Sequence, residues 1–172
     1  TDSEGFFKIS LIERCVTSDQ KPVQLPSGDI WFDPVTTGSS SKKYVYGIDP
    51  ASEQDNFSII VIELHQDHSR IVYGWSTNRT EFKKRLKEAK KANLDIEHDF
   101  YHYCARKIRD LMKVFPAEVI GIDKQGGGVA IEEALHDPDK LQPGEHVLWP
   151  TIDHKKEKDT DVEAGLHILE LV

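Results

Sequence analysis

From Tyr44 onward the chain falls into short apolar runs at close intervals. Tyr44 to Ile48, Phe57 to Leu64 and Arg70 to Ser76 are rich in β-branched and aromatic residues and are separated by turn-forming stretches, which predicts three strands. Connections of this length favour an antiparallel meander. The stretch "RTEFKKRLKEAKKANL" is built from strong helix formers, with Thr80 placed to cap it. A longer helix is predicted from about Asp95 to Phe115. There Phe100, Tyr103/Cys104, Ile108, Leu111/Met112 and Phe115 return every three or four positions, and Pro116 ends the pattern. "EVIGID" reads as a fourth strand, and a strand reached through a helix is most simply parallel to an earlier one. "KQGGG" then turns the chain into a helix near Val129 to Leu135, and "HVLWP" reads as a fifth strand. Val162, Leu166, Leu169 and Val172 share one helical face, which predicts a final helix.

Residues 1–43 carry a different pattern. "TSDQKPVQLPSGDIWFDPVTTGSSSKK" is broken by Pro and Gly and ends in a Ser-rich spacer, so 1–43 is expected to be a linker or wrapping arm and 44–172 the folded domain. "LIERCV" reads as a helical end, and Phe6, Phe7, Trp31 and Phe32 need a surface to cover.

Two of the predicted strands finish alike. "YVYGID" closes at Asp49 and "EVIGID" at Asp123. If these strands are parallel neighbours, both acids emerge side by side at their C-terminal ends, where open α/β sheets commonly bind ligands. Two carboxylates that close repel, and a divalent cation between them keeps both ionised. Mg2+ suits such a site, and a pair of such ions clamps the attacking and leaving oxygens of a phosphodiester. An Asp at a strand end also serves ordinary turn chemistry, so either residue alone carries little. Gly126, Gly127 and Gly128 make a tight turn or let backbone and a ligand approach closely beside Asp123. They match neither GxGxxG nor GxxxxGK[ST].

Composition narrows the choice of chemistry. The chain has 172 residues, 38% hydrophobic and 30% charged, which fits one globular domain. No run of eighteen apolar residues predicts a membrane span, and "TDSEGFFKIS" does not read as a signal peptide. Cys15 and Cys104 stand apart without a disulfide framework, which suits a reducing cytoplasm. His98 and His102 have a permitted metal spacing but no third ligand in sequence. Net charge is −8, yet Arg79 to Lys113 holds eleven Lys/Arg against six Asp/Glu. That run is either a solvated helix face or a phosphate-binding surface beside the acids.

The residues also resemble a known family. "YVYGIDPASEQDNFSIIVIEL" is similar to the first acidic strand and hairpin of the nuclease domain of bacteriophage terminase large subunits. "EVIGIDKQGGGVAIEEAL" resembles the second acidic strand, glycine turn and helix of that domain, and the blocks occur in the family order. The resemblance covers about Tyr44 to Trp149 and implies an RNase H-like α/β fold. Its central mixed sheet combines a three-strand antiparallel meander with parallel strands, flanked by helices. It implies an endonuclease that cuts concatemeric viral double-stranded DNA, with Asp49, Asp123 and the additional acid Asp55 as catalytic and metal-binding residues of a two-metal Mg2+ or Mn2+ site. It also implies a preceding packaging ATPase domain, a small terminase subunit and a portal as partners, and the host cytoplasm as location. Arg79, Lys83, Lys84, Lys87, Lys90 and Lys91 are the expected DNA-backbone contacts. The family expects a third acid. Asp153, Asp159 and Asp161 lie in a charged stretch that reads as a loop, so the third ligand is expected beyond Val172. The competing readings are an actin-like ATP-dependent phosphotransferase and a non-catalytic RNase H-like DNA-binding module.

Overall fold

Along the strands Lys43–Asp49 and Phe57–Leu64, every second residue is buried on one face, while those between them are partly or fully exposed on the other. The computed structural model describes residues 9–16, 22–32, 38–50, 55–152 and 164–172. Its strands are β1 (Val23–Gln24), β2 (Asp29–Trp31), β3 (Lys43–Asp49), β4 (Phe57–Leu64), β5 (Ser69–Thr77), β6 (Ala117–Ile122), β7 (Leu148–Pro150) and β8 (Leu166–Leu171). They form one sheet in the order β1-β2-β5-β4-β3-β6-β8-β7. The β3-β4-β5 meander is antiparallel, and β6 runs parallel to β3 and to β8. The fold is thus mixed α/β, with an antiparallel three-strand meander continued by parallel strands.

Along β4, Phe57, Ile59 and Val61 are fully buried while Ser58, Ile60 and Ile62 are half-buried on the opposite face. That period of two puts one row of β-branched side chains into the core. Helices cover this dry face: α2 (Arg79–Lys91), α3 (Phe100–Val114) and α4 (Gly128–His136). Phe100 of α3 meets Phe57 edge-on at 6.4 Å, Tyr103 lies 6.0 Å from Trp75, and Phe115 lies 5.2 Å from Tyr44. Arg109, buried in α3, donates to the Leu135 carbonyl of α4 at 2.8 Å. The helix starts differ slightly from those expected. Asn78, not Thr80, caps α2 by accepting the Glu81 amide at 2.9 Å, because Asn78 is extended and Thr80 is already helical. Asp99 caps α3 in the same way, so residues 94–98 stay outside the helix.

The short helix α1 (Ile9–Cys15) matches the helical reading of "LIERCV". Part of the arm adds to the sheet. β2 pairs with the outer edge of β5, and Trp31 packs edge-on against Tyr73 at 5.0 Å. Asp29 accepts hydrogen bonds from Ser27, Tyr73 and Lys107, which ties the arm to β5 and α3.

The final helix is a correction. Residues 166–171 form β8, a strand paired on both edges, with Leu169 buried opposite Ile120. A short apolar run fits a helix or a strand equally well by period alone, and here two open strand edges supply the hydrogen bonds that decide it. Val162 lies outside the described residues. Among the described residues no helix is long and apolar enough to cross a membrane.

Candidate active site

The two "GID" tails pair with each other. In the parallel ladder Gly47 faces Gly121 and Ile48 faces Ile122, so the next residues, Asp49 and Asp123, leave adjacent strands at the same level. The Asp123 amide donates to the Ile48 carbonyl at 3.1 Å, which extends the ladder to the acid itself. Ile48 and Ile122 point into the core, and strand alternation therefore turns both aspartates to the open face, where both are exposed. Neighbouring strands stand about 4.8 Å apart, so the register sets two carboxylates side by side.

The turn after Asp123 is shaped around that residue. Its Oδ1 accepts the Gln125 amide at 2.8 Å. Gly126 adopts φ +63°, a left-handed conformation, and a Cβ on Gly128 would stand 2.4 Å from the Asp123 carbonyl oxygen. Gly126 and Gly128 are thus required by the turn, and Gly127 is buried within it. The close approach they permit is to the chain's own backbone. The far edge is closed by β8, since the Lys124 amide donates to the Val172 carbonyl at 2.9 Å and the Val172 amide to the Ile122 carbonyl at 3.0 Å.

Asp55 is exposed two residues before β4, at the same end of the sheet as Asp49. The intervening turn and the candidates Asp153, Asp159 and Asp161 lie outside the described residues. Among the described residues no group of three or more His, Cys, Asp or Glu side chains is arranged to hold a metal ion. His98 stands 3.7 Å from Asp95, and His102 is held between Asp99 and Asp137, each at 3.0 Å.

The basic residues divide along α2. Arg79 begins the helix at the acid end of the sheet, where Asn78 donates to Asn56 at 2.9 Å. Its guanidinium lies over Phe100 at 4.8 Å and Tyr101 at 5.3 Å. Lys84 pairs with Glu81, while Lys83, Lys87, Lys90 and Lys91 are exposed. At 1.5 Å per residue Lys91 is about 18 Å along the axis from Arg79. Lys87 and Lys90 border a hollow of about 620 Å³ with Leu86, Leu94 and Ile96.

Three polar residues near this site carry no signal in linear sequence. Ser58 stands opposite Asp49 across the β3–β4 ladder, and Ser76 stands opposite Ser58 across β4–β5, with the two hydroxyls 3.4 Å apart. Glu170 of β8 is exposed opposite Gly121, one pleat behind Asp123. Ser58 lies within the mostly apolar run FSIIVIEL, and only the β3–β4 register shows that it stands beside Asp49. Glu170 was hidden by the helical reading of its segment.

No family model matches the sequence, and no curated protein matches it. Among solved structures, the chain is similar to the large terminase nuclease from the thermophilic phage G20c. The two share 14% sequence identity with a TM-score of 0.44 over 66% of this chain and 47% of that one. The chain thus spans about half the length of the nuclease it resembles.

Proposed function

We propose that this chain is a metal-dependent endonuclease domain that hydrolyses phosphodiester bonds in double-stranded DNA, of the kind found in viral DNA-packaging terminases. The observation that carries the reading is the register of the "GID" tails, which brings Asp49 and Asp123 together on the open face of adjacent parallel strands.

The donor set fits a hard divalent cation. Carboxylate oxygens favour Mg2+ or Mn2+ over softer metals. Asp123 accepts the Gln125 amide with Oδ1, which restrains its side chain and leaves Oδ2 for a cation. When bound, Mg2+ or Mn2+ supplies Lewis-acid stabilisation of charge on the phosphodiester. Asp49 and Asp123 would hold the cation, and Asp55, two residues before β4, would contribute a further carboxylate. The cations of α2, from Arg79 to Lys91, bind DNA phosphates without reading bases. A packaging ATPase domain in the same polypeptide, a small terminase subunit and a portal are the partners this reading implies, with the host cytoplasm as its setting.

The test is incubation with supercoiled plasmid and Mn2+, with and without EDTA. Nicking that requires metal and disappears in both Asp49→Asn and Asp123→Asn is the expected result. ATP consumption without DNA cleavage would instead favour a phosphotransferase, and DNA retarded but uncut a binding module.

A further inference from the structure

On the open face, the four strands that carry Asp123, Asp49, Ser58 and Ser76 place only apolar residues or glycine directly behind that row. Two residues behind Asp123, Asp49, Ser58 and Ser76 the same four strands present Gly121, Gly47, Ile60 and Gly74. Farther back, β3 and β4 present Val45 and Ile62. A Cβ on Gly47 would meet nothing within 4 Å, whereas one on Gly74 would stand 3.3 Å from both Ile60 and Phe32, so the row borders open space beside Asp49 and a packed surface beside Ser76. Hydroxyls level with two carboxylates in consecutive strands, with apolar residues or glycine behind them, are not needed for packing. At this position valine or isoleucine would serve a sheet better.

We infer that Ser58 and Ser76 are positioning residues that bind the phosphate backbone of the DNA strand flanking the cleavage point. The inference rests on the nuclease reading and adds where the strand runs: along the row Asp123, Asp49, Ser58, Ser76, across the sheet and toward the start of α2. Each hydroxyl has one proton and two lone pairs. The Ser58–Ser76 contact uses one of the two protons, and the other has no acceptor among the described residues. It is available to a phosphate oxygen, the acceptor that serine hydroxyls commonly take in DNA complexes. With strands about 4.8 Å apart, Ser76 stands about 10 Å from Asp49, beyond the reacting phosphate and within reach of a neighbouring one. Arg79 begins one turn later in the chain at the same end of the sheet, so the row leads into the basic face of α2.

The experiment uses the whole chain and a short fluorescein-labelled DNA duplex, with Ca2+ in place of Mg2+ so that binding is read by anisotropy without cleavage. Ser58→Ala with Ser76→Ala is expected to weaken binding about tenfold, the scale of one or two hydrogen bonds. Ser58→Thr with Ser76→Thr, which keeps both hydroxyls, is expected to restore it. Ser58→Asp, which sets a third negative charge in the row, is expected to weaken binding further than alanine. In Mn2+ the alanine pair is expected to raise KM with a much smaller fall in kcat. A wild-type chain that binds the duplex while the alanine pair and Ser58→Asp bind equally well overturns this inference and leaves the nuclease reading standing. A wild-type chain that binds no duplex overturns both.

Discussion

Glu63 is the most buried acid among the described residues. It occupies the buried face of β4 with its side chain 1% exposed, at the end of the strand farthest from Asp49. It accepts hydrogen bonds from Lys42 Nζ at 3.0 Å, Tyr44 Oη at 3.1 Å and His65 Nε2 at 2.6 Å. These contacts bind the entry to β3 and the β4–β5 hairpin to the foot of the sheet. Burial alone raises the carboxyl pKa, but the hydrogen bonds from Lys42, Tyr44 and His65 outweigh it and hold the group below its ordinary value. Removing one member of a fully buried pair costs about 3–5 kcal/mol. Lys42 is 44% exposed and His65 30% exposed, so water can take over part of their solvation. A loss of about 2 kcal/mol is therefore expected for Glu63→Gln. In a domain of this size that corresponds to a fall in Tm of about 4–8 °C. The sign with pH follows from the depressed pKa. The stabilisation is complete above the unfolded value of 4.5 and is lost as pH falls through the lower folded value. Urea titrations of wild type and variant at neutral and acid pH measure the gap. A gap that is negligible at neutral pH, or that persists unchanged in strong acid, refutes the account of Glu63 as a buried, ionised tie.

Three further outcomes are expected. Gly128→Ala places a Cβ against the Asp123 carbonyl and should destabilise by about 1–3 kcal/mol, with plasmid nicking lost more completely than stability, since the displaced residue is an acid of the site. Exchanging Lys83, Lys87 and Lys90 for Gln should flatten the salt dependence of DNA binding by close to three units of log–log slope, and an unchanged slope would return α2 to a solvated face. Asp29 has a depressed pKa, burial being outweighed by bonds from Lys107, Ser27 and Tyr73. Asp29→Asn should therefore speed amide exchange at Ile30 and Trp31 while leaving β3 and β6 protected, and equal protection in wild type and variant would show that the tie does not hold the arm.

What could be read from the sequence was whatever depends on local period or on an exact repeat. The meander was visible because three short runs rich in β-branched residues follow one another through short connections, and the pairing of β3 with β6 because both run into the same Gly-Ile-Asp. Long-range hydrogen bonding was not visible. β2 takes its partner, β5, from more than forty residues away, and nothing in "GDIWF" announces that Asp29 will meet Lys107. β8 was misread because six mostly apolar residues satisfy either period, and only the free edges of β6 and β7 settle the matter. Glu63 reads as a flaw in an apolar strand until Lys42 and His65 arrive beside it.

The way the acids are held separates folding from chemistry at this site. Asp49 and Asp123 gain their proximity from backbone register, with the Ile48–Ile122 pair locked in the core directly beneath them. Neither side chain contributes to that core, and both are exposed. Two like charges on neighbouring strands repel, so without a cation the folded state keeps them together against their own electrostatics. A divalent ion that binds both reverses this, since anything that binds only the folded state stabilises it. The same substitution, Asp49→Asn, should therefore leave stability equal or raised in EDTA and remove a Mg2+-dependent gain seen in the wild type. Asp29 and Glu63, which are hydrogen-bonded partners of lysines within the fold, should show the opposite behaviour: a loss in EDTA that Mg2+ does not alter. Carboxylates that cost stability when metal is absent belong to a binding site, whereas those that supply it in every condition belong to the scaffold that holds the site in register.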